Sequence, residues 1–245
     1  MKIVIKKDYE ALSQYAAAKF LGYMTKEGRV NIAPTAGTTP KRMYEIINSF
    51  INNNEPEFII GDVHYYQQDN FLSTKRPEVP SLFPEIDQMF FIPAQVPKER
   101  IEHLTFATYE NAYTTISRAG GFDFTLMGLG SDGHFAANMP GTKFGKHGYI
   151  ETFTGEMQAQ MAEMFGVPDG DTWSCLGPEL LLSLSKDILL IVTGTGKADI
   201  LQQIVEGPID EAIPASVLRM HPNFTIVCDE AAAQNLSATI KKLYE

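Results

Sequence analysis

Cysteine is nearly missing from this chain. Cys175 and Cys228 are the only two in 245 residues and stand far apart. A disulfide framework is therefore excluded, as is a cysteine metal site, and the pair reads as reduced thiols in an intracellular protein. Positive charge is also scarce: twenty Lys and Arg face thirty Asp and Glu, a formal net charge of −10. That balance argues against nucleic acid or an anionic membrane as partner. An anionic ligand would need a local positive site made of backbone amides and a few placed cations. No apolar run approaches the ~20 residues of a transmembrane helix, so no membrane span is expected. Residues 1–8 lack a long apolar stretch with a small-residue cleavage site, so no leader is expected and the cytoplasm is the expected location.

What is present is ordinary for a globular protein, with 44% hydrophobic residues and no low-complexity tract. The length suits one domain over 1–245. Strand-like and helix-like stretches alternate. Strands are expected at Lys2–Ile5, Val30–Ala33, Phe58–Tyr66, Phe122–Met127, Ile188–Thr193 and Phe224–Cys228, with a short segment at Ser216–Met220. Helical spacing marks Tyr9–Lys26, Thr38–Asn52, Tyr109–Ala119, Gly177–Ser185, Lys197–Glu206 and Glu230–Tyr244. Phe71–Glu85 holds Pro77, Pro80 and Pro84 and reads as an irregular loop. Gly141–Cys175 is the least regular part and reads as a lid over the site. The alternation implies an α/β fold, a single open and mostly parallel sheet with helices on both faces. Ligands on such sheets bind beyond the carboxyl ends of the strands.

The most informative stretch follows the strand ending at Met127 and reads Gly128-Leu-Gly130-Ser-Asp132-Gly-His134. Glycines let the backbone approach a ligand closely, and a carboxylate beside an imidazole is an acid/base arrangement. The plainer reading is a tight turn with a solvated Asp-Gly step, which gives no reason for the His. Gly128, Gly130 and Gly133 also match the dinucleotide fingerprint, but Pro140 cuts short the helix that fingerprint needs. No nucleotide cofactor and no metal are expected.

Two more strand ends carry chemistry. In Asn31–Pro40, Gly37, Thr38 and Thr39 precede a helix with Thr39 as N-cap and Pro40 in the first turn. Free amides there attract a phosphate, although an ordinary capped helix would look similar. Gly194-Thr-Gly-Lys197 places a lysine at a helix start, where a bound anion would offset its unfavourable position. Asp69, in Gln67-Gln-Asp69, would project over the same sheet edge, with a surface turn as the plainer account.

These stretches, in this order, resemble the glucosamine-6-phosphate deaminase/isomerase family, which shares its fold with the 6-phosphogluconolactonases. Pro34–Pro40, Gln67–Asp69, Gly128–His134, Asn138-x-Pro140, Gly194-x-x-Lys197, Pro214–Ser216 and His221-Pro222 carry the likeness over nearly the whole chain. The resemblance implies phosphate and sugar binding by Ala36, Gly37, Thr38, Thr39, Gly130 and Lys197. It implies Asp69 as the base moving a proton between C2 and C1 of an open-chain amino-hexose phosphate, and His134, supported by Asp132, in ring opening. It requires no cofactor or metal, and a homo-oligomer stays open.

Three places depart from the family pattern. Met139 stands where the deaminases carry a Glu, Asn70-Phe71 where they carry Glu-Tyr, and Glu163 aligns with a phosphate-binding arginine. Arg42 and Arg219 are candidate substitutes. A lactonase is the alternative enzyme, although the Ser-Leu-Phe-Pro and Asp-Glu-Arg usual in lactonases are missing after the two loops. A sugar-phosphate-binding protein without turnover is the third reading.

Overall fold

The computed structural model describes residues 1–53, 60–82, 85–164 and 166–244. The strands, in chain order, are β1 (Lys2–Lys6), β2 (Arg29–Ala33), β3 (Asp62–Tyr66), β4 (Asp69–Leu72), β5 (Ile101–Glu102), β6 (Phe124–Met127), β7 (Gly148–Thr152), β8 (Thr172–Leu176), β9 (Ile188–Val192) and β10 (Phe224–Asp229). The helices are α1 (Tyr9–Met24), α2 (Lys41–Asn53), α3 (Ala112–Arg118), α4 (Gly155–Met164), α5 (Pro178–Leu184), α6 (Ala198–Glu206) and α7 (Ala238–Tyr244).

Seven strands make one sheet in the order β1-β10-β9-β6-β2-β3-β5. Every pairing in it is parallel. From β2 the chain builds outward through β3 and β5, then returns to the other side of β2 with β6, β9 and β10. The reversal falls between β2 and β6, where loops leave the sheet in opposite directions and open a crevice. The strand ends flanking that crevice carry the Thr-rich loop, Asp69, the glycine loop and Lys197.

Successive side chains of a strand face opposite sides, and each side has its own core. Ile188, Leu190 and Val192 of β9 face one, packed with α3, α5 and α6. Leu189 and Ile191 face the other, packed with α1 and α2. The strands are apolar on both faces, as a parallel sheet covered by helices requires. Helix α1 starts where the Asp8 side chain accepts from the Ala11 N–H at 2.9 Å, an N-cap. Its Phe20 is fully buried and meets Tyr44, Phe90 and Phe124 edge-on at centroid distances of 6.0, 5.4 and 5.9 Å.

The expected elements shift at several ends. Residues 58–59, placed at the head of the third expected strand, lie outside the described residues, and β3 begins at Asp62. Helix α2 begins at Lys41, and the Pro40 carbonyl accepts from the Tyr44 N–H at 3.0 Å, so Pro40 stands where Thr39 was expected as cap. The helix expected from Glu230 begins only at Ala238, because Asp229 holds the intervening chain in turns by accepting from the Ala232 N–H at 2.7 Å.

The larger correction concerns residues 141–175. They are not irregular: β7, α4 and β8 form there, and β8 pairs antiparallel with both β7 and β4 in a second, three-stranded sheet. Asp69 pairs with Cys175, more than a hundred residues away.

Phe20→Ala is expected to lower unfolding free energy by about 3–5 kcal/mol in urea titration, as removal of a buried ring does. Ile92→Ala, at a side chain 70% exposed, is expected to change it by less than about 1 kcal/mol.

Candidate active site

The carboxyl ends of β3, β2, β6 and β9 stand side by side, and backbone carbonyls crowd there. Gln68, 2% exposed, relieves the crowding. Its Nε2 donates to the carbonyls of Ala33, Pro34 and Leu126 at 3.0, 3.0 and 2.6 Å. One amide thereby ties the end of β2 to the end of β6 and fixes the spacing of their loops. The next residue, Asp69, opens β4 and looks into the crevice.

The result is a cavity of about 360 Å³ lined by Thr35 to Pro40, Asp69, Glu85, Gly128 to Ser131, His134, Ala136, Trp173 and Lys197. Its size lies in the range usual for small-molecule sites. Every expected site residue except Asp132 is on its wall. Asp132 acts one step back: its Oδ1 meets His134 Nδ1 at 2.6 Å and accepts from the His134 N–H at 3.2 Å. With Nδ1 donating to the carboxylate, Nε2 is the ring nitrogen left for a ligand. Burial pushes the Asp132 carboxyl up, but its bonds and charge contact with His134 outweigh this and hold it below the usual value.

The Thr-rich loop is built to present donors. The Tyr44 hydroxyl donates to the Thr35 carbonyl at 2.8 Å, and the Tyr9 hydroxyl reaches the Thr38 and Thr39 carbonyls at 3.3 and 3.0 Å. Gly37, at φ +97°, makes the turn that an L side chain would strain. With carbonyls engaged by two tyrosines, amides and hydroxyls remain for an anion.

Lys197 ends a short 3-10 turn, Thr195–Lys197, behind Gly194 at φ +86°. The Asp229 carboxylate accepts from the Gly194 N–H at 3.0 and 3.1 Å and from the Thr193 hydroxyl. Burial lowers the Lys197 ammonium's pKa, with Asp132 acting in the opposite direction. Among the described residues its ammonium has no ion-pair partner.

Asp69 is the most perturbed carboxyl of the site. Burial raises it first and the negative charge of Glu85 next, while its own amide lowers it only in part, and the group is pushed up to about 7. A carboxyl of that pKa is half-ionised at neutral pH, the condition that suits a group to proton transfer.

Several sequence candidates fall away. Arg42 pairs with Glu10 and Glu45 at 2.7 and 3.2 Å. Arg219 donates to the carbonyls of Val205 and Gly207 at 2.9 and 2.7 Å. Neither lines the cavity, and both are occupied in holding the fold. Glu163 lies exposed on α4, away from the cavity wall, so its own carboxylate is not placed to repel a phosphate there. Met139 is 37% exposed and likewise off the wall. Asn70 donates to the carbonyls of Pro80 and Leu104 at 2.7 and 3.2 Å, a structural tie in place of a family Glu. His221 is also structural, with Nε2 at 2.8 Å from the Ser185 carbonyl.

Glu85 and Trp173 are cavity residues that sequence reasoning missed. Trp173 arrives on β8 and packs edge-on to Phe71 and Phe153 at 6.0 and 6.1 Å. Its being the chain's single tryptophan was the only signal. Among the described residues no group of three or more His, Cys, Asp or Glu is placed to hold a metal ion. No helix among them is long and apolar enough to cross a membrane.

Gly130 has a steric duty. A Cβ there would stand 2.2 Å from His134 Nδ1 and 2.6 Å from Asp132 Oδ1. The side chains, half-exposed, would yield before the backbone. Gly130→Ala is therefore expected to melt within a few degrees of the parent while losing the downfield proton resonance of the His134–Asp132 bond.

Known proteins resemble the chain over nearly its whole length. A glucosamine-6-phosphate deaminase of Shouchella clausii is 29% identical over 245 residues, covering 95% of this chain and 96% of its own. One of Corynebacterium kroppenstedtii is 30% identical over 241 residues, covering 95% and 92%. The solved structure of a monomeric glucosamine-6-phosphate deaminase superposes with a TM-score of 0.81 at 25% identity, covering 96% of this chain and all of that one. A 6-phosphogluconolactonase of Trypanosoma brucei reaches 0.69 at 18% identity over 96% and 98%, a likeness of fold. The family described as glucosamine-6-phosphate isomerases/6-phosphogluconolactonase matches residues 7–227, a span that holds every loop of the cavity, and the chain belongs to that family.

Proposed function

We propose that the protein is an aminosugar-phosphate deaminase/isomerase acting on a hexosamine 6-phosphate. The observation that carries the reading is Asp69: a carboxyl pushed up to about 7 shares one cavity with a donor-rich anion loop, a lysine and a histidine. The anion loop, Ala36 to Thr39, and Lys197 would hold the phosphate at one end. His134, oriented by Asp132, would pass a proton to or from the ring oxygen through Nε2 as the sugar opens. Asp69 would then take the proton from C2 of the open aldehyde and return it at C1. When C2 carries an amine the product of that shift is an imine, and its hydrolysis releases ammonia and a ketose phosphate.

The family's Glu, replaced by Met139, is not needed to orient His134, because Asp132 already holds Nδ1 at 2.6 Å. We take residues 1–245 as one domain and assign 141–175 the covering role, with β8 bringing Trp173 to the cavity wall. The buried thiols Cys175 and Cys228 support a cytoplasmic setting. The lactonase reading would use His134 to activate water and leaves Asp69 without a task.

Incubation with glucosamine 6-phosphate or galactosamine 6-phosphate is expected to release ammonia and ketose phosphate in equal amounts. Asp69→Asn is expected to lower kcat by at least about a hundredfold, the low end of what a positioned base contributes. The base must be ionised, so kcat/KM is expected to rise with pH through a midpoint near 7 and to flatten above it. Hydrolysis of 6-phosphogluconolactone without release of ammonia from either amine would replace this reading with the lactonase one. Binding of both sugar phosphates without turnover, unchanged by Asp69→Asn, would replace it with the silent binder.

A further inference from the structure

Glu85 sits where an anionic ligand would not want it. Its Oε2 accepts from the Gly37 N–H at 3.3 Å, and it lines the same cavity as Asp69 and Lys197. Tyr9 and Tyr44 engage the loop's carbonyls, which leaves the loop rich in donors, and Glu85 takes one of those donors. Among the described residues no cation pairs with the Glu85 carboxylate. A carboxylate on the amide of an anion loop occupies the place of a bound anion. A phosphate monoester cannot use the Gly37 amide while Glu85 holds it, and their like charges repel at such range. Among the described residues, the cavity walls supply one lysine against two carboxylates, Asp69 and Glu85.

We infer that Glu85 is a specificity-determining residue: it competes with the substrate's phosphate for the Gly37 amide, so a phosphate-bearing ligand binds by displacing it. The inference rests on the sugar-phosphate reading given above and deepens it. A ligand that brings an ammonium into the cavity offsets part of the Asp69 and Glu85 charge. A hexose phosphate without an amine offsets none. Glu85 thus favours the amino sugar phosphate over its hydroxy analogue by penalising phosphate that arrives without a compensating cation. The influence of Glu85 on Asp69 supports the closeness of the two carboxylates.

The test is calorimetric titration of the full chain and of Glu85→Gln, Glu85→Ala and Lys197→Met with inorganic phosphate and glucose 6-phosphate, with glucosamine 6-phosphate followed by its KM as the substrate. Both Glu85 variants are expected to bind inorganic phosphate and glucose 6-phosphate roughly tenfold tighter, the scale on which one nearby unit charge acts in a partly buried site. Glucosamine 6-phosphate is expected to gain less. Unchanged or weaker phosphate binding in both Glu85 variants would overturn the competition, and equal gains for the two sugars would overturn the selectivity. Lys197→Met separates the two levels of failure. Phosphate binding that depends on Lys197 but ignores Glu85 sinks this inference alone, whereas binding indifferent to Lys197 places the anion elsewhere and sinks the site reading with it.

Discussion

Gln68 shares the hydrogens of one amide among three carbonyls at the ends of β2 and β6, and the rest of the site depends on that tie. Parallel strands ending in register bring their last carbonyls together, and carbonyl dipoles so aligned repel. A buried donor between them turns the repulsion into cohesion. It also sets the distance between the loop that presents Gly37 to Thr39 and the loop that presents Gly130 to His134. Because Asp69 follows Gln68 directly, the same residue that closes the crevice aims the carboxylate into it. The fold thereby converts a general property of α/β sheets, a crevice at the switch point, into a particular arrangement of carboxyl, imidazole and donor-rich loop.

The electrostatics follow from that crowding. Asp69 is drawn toward neutrality by burial and by Glu85, which makes it a base of intermediate strength. Asp132 moves the other way because His134 lies against it. Two carboxylates, one on the cavity wall and one behind His134, are thus pushed apart in pKa, a pattern that separates a proton-transferring group from one that stays ionised to orient a partner. Lys197 supplies the opposing charge. Its turn is held by Asp229, through Gly194 and Thr193, so the lysine is placed by a buried acid that never meets the cavity.

Much of this was legible in the sequence because the signals are local. The glycines before His134, the threonines before Pro40 and the lysine after Gly194 each follow a strand within a few residues, and a strand end in an α/β chain is a place where ligands bind. The small sheet was not legible, because its pairing of Asp69 with Cys175 joins remote segments and its strands lack a clean alternation. Trp173 was hidden with it. Glu85 was hidden by its setting in a proline-rich loop, where nothing in the pattern aims a side chain. The reading of Arg42, Arg219 and Glu163 failed for a related reason: charge type was visible, but the partners that consume or expose those charges come from other parts of the chain.

If the fold holds Asp69 half-ionised at neutral pH, its carboxyl carbon reports that directly. Carbon-13 NMR titration of protein labelled at the aspartate carboxyls, with Asp69→Asn to assign the signal, follows that one group. A transition near pH 7 is expected. A midpoint at about 4, the ordinary aspartate value, would contradict it.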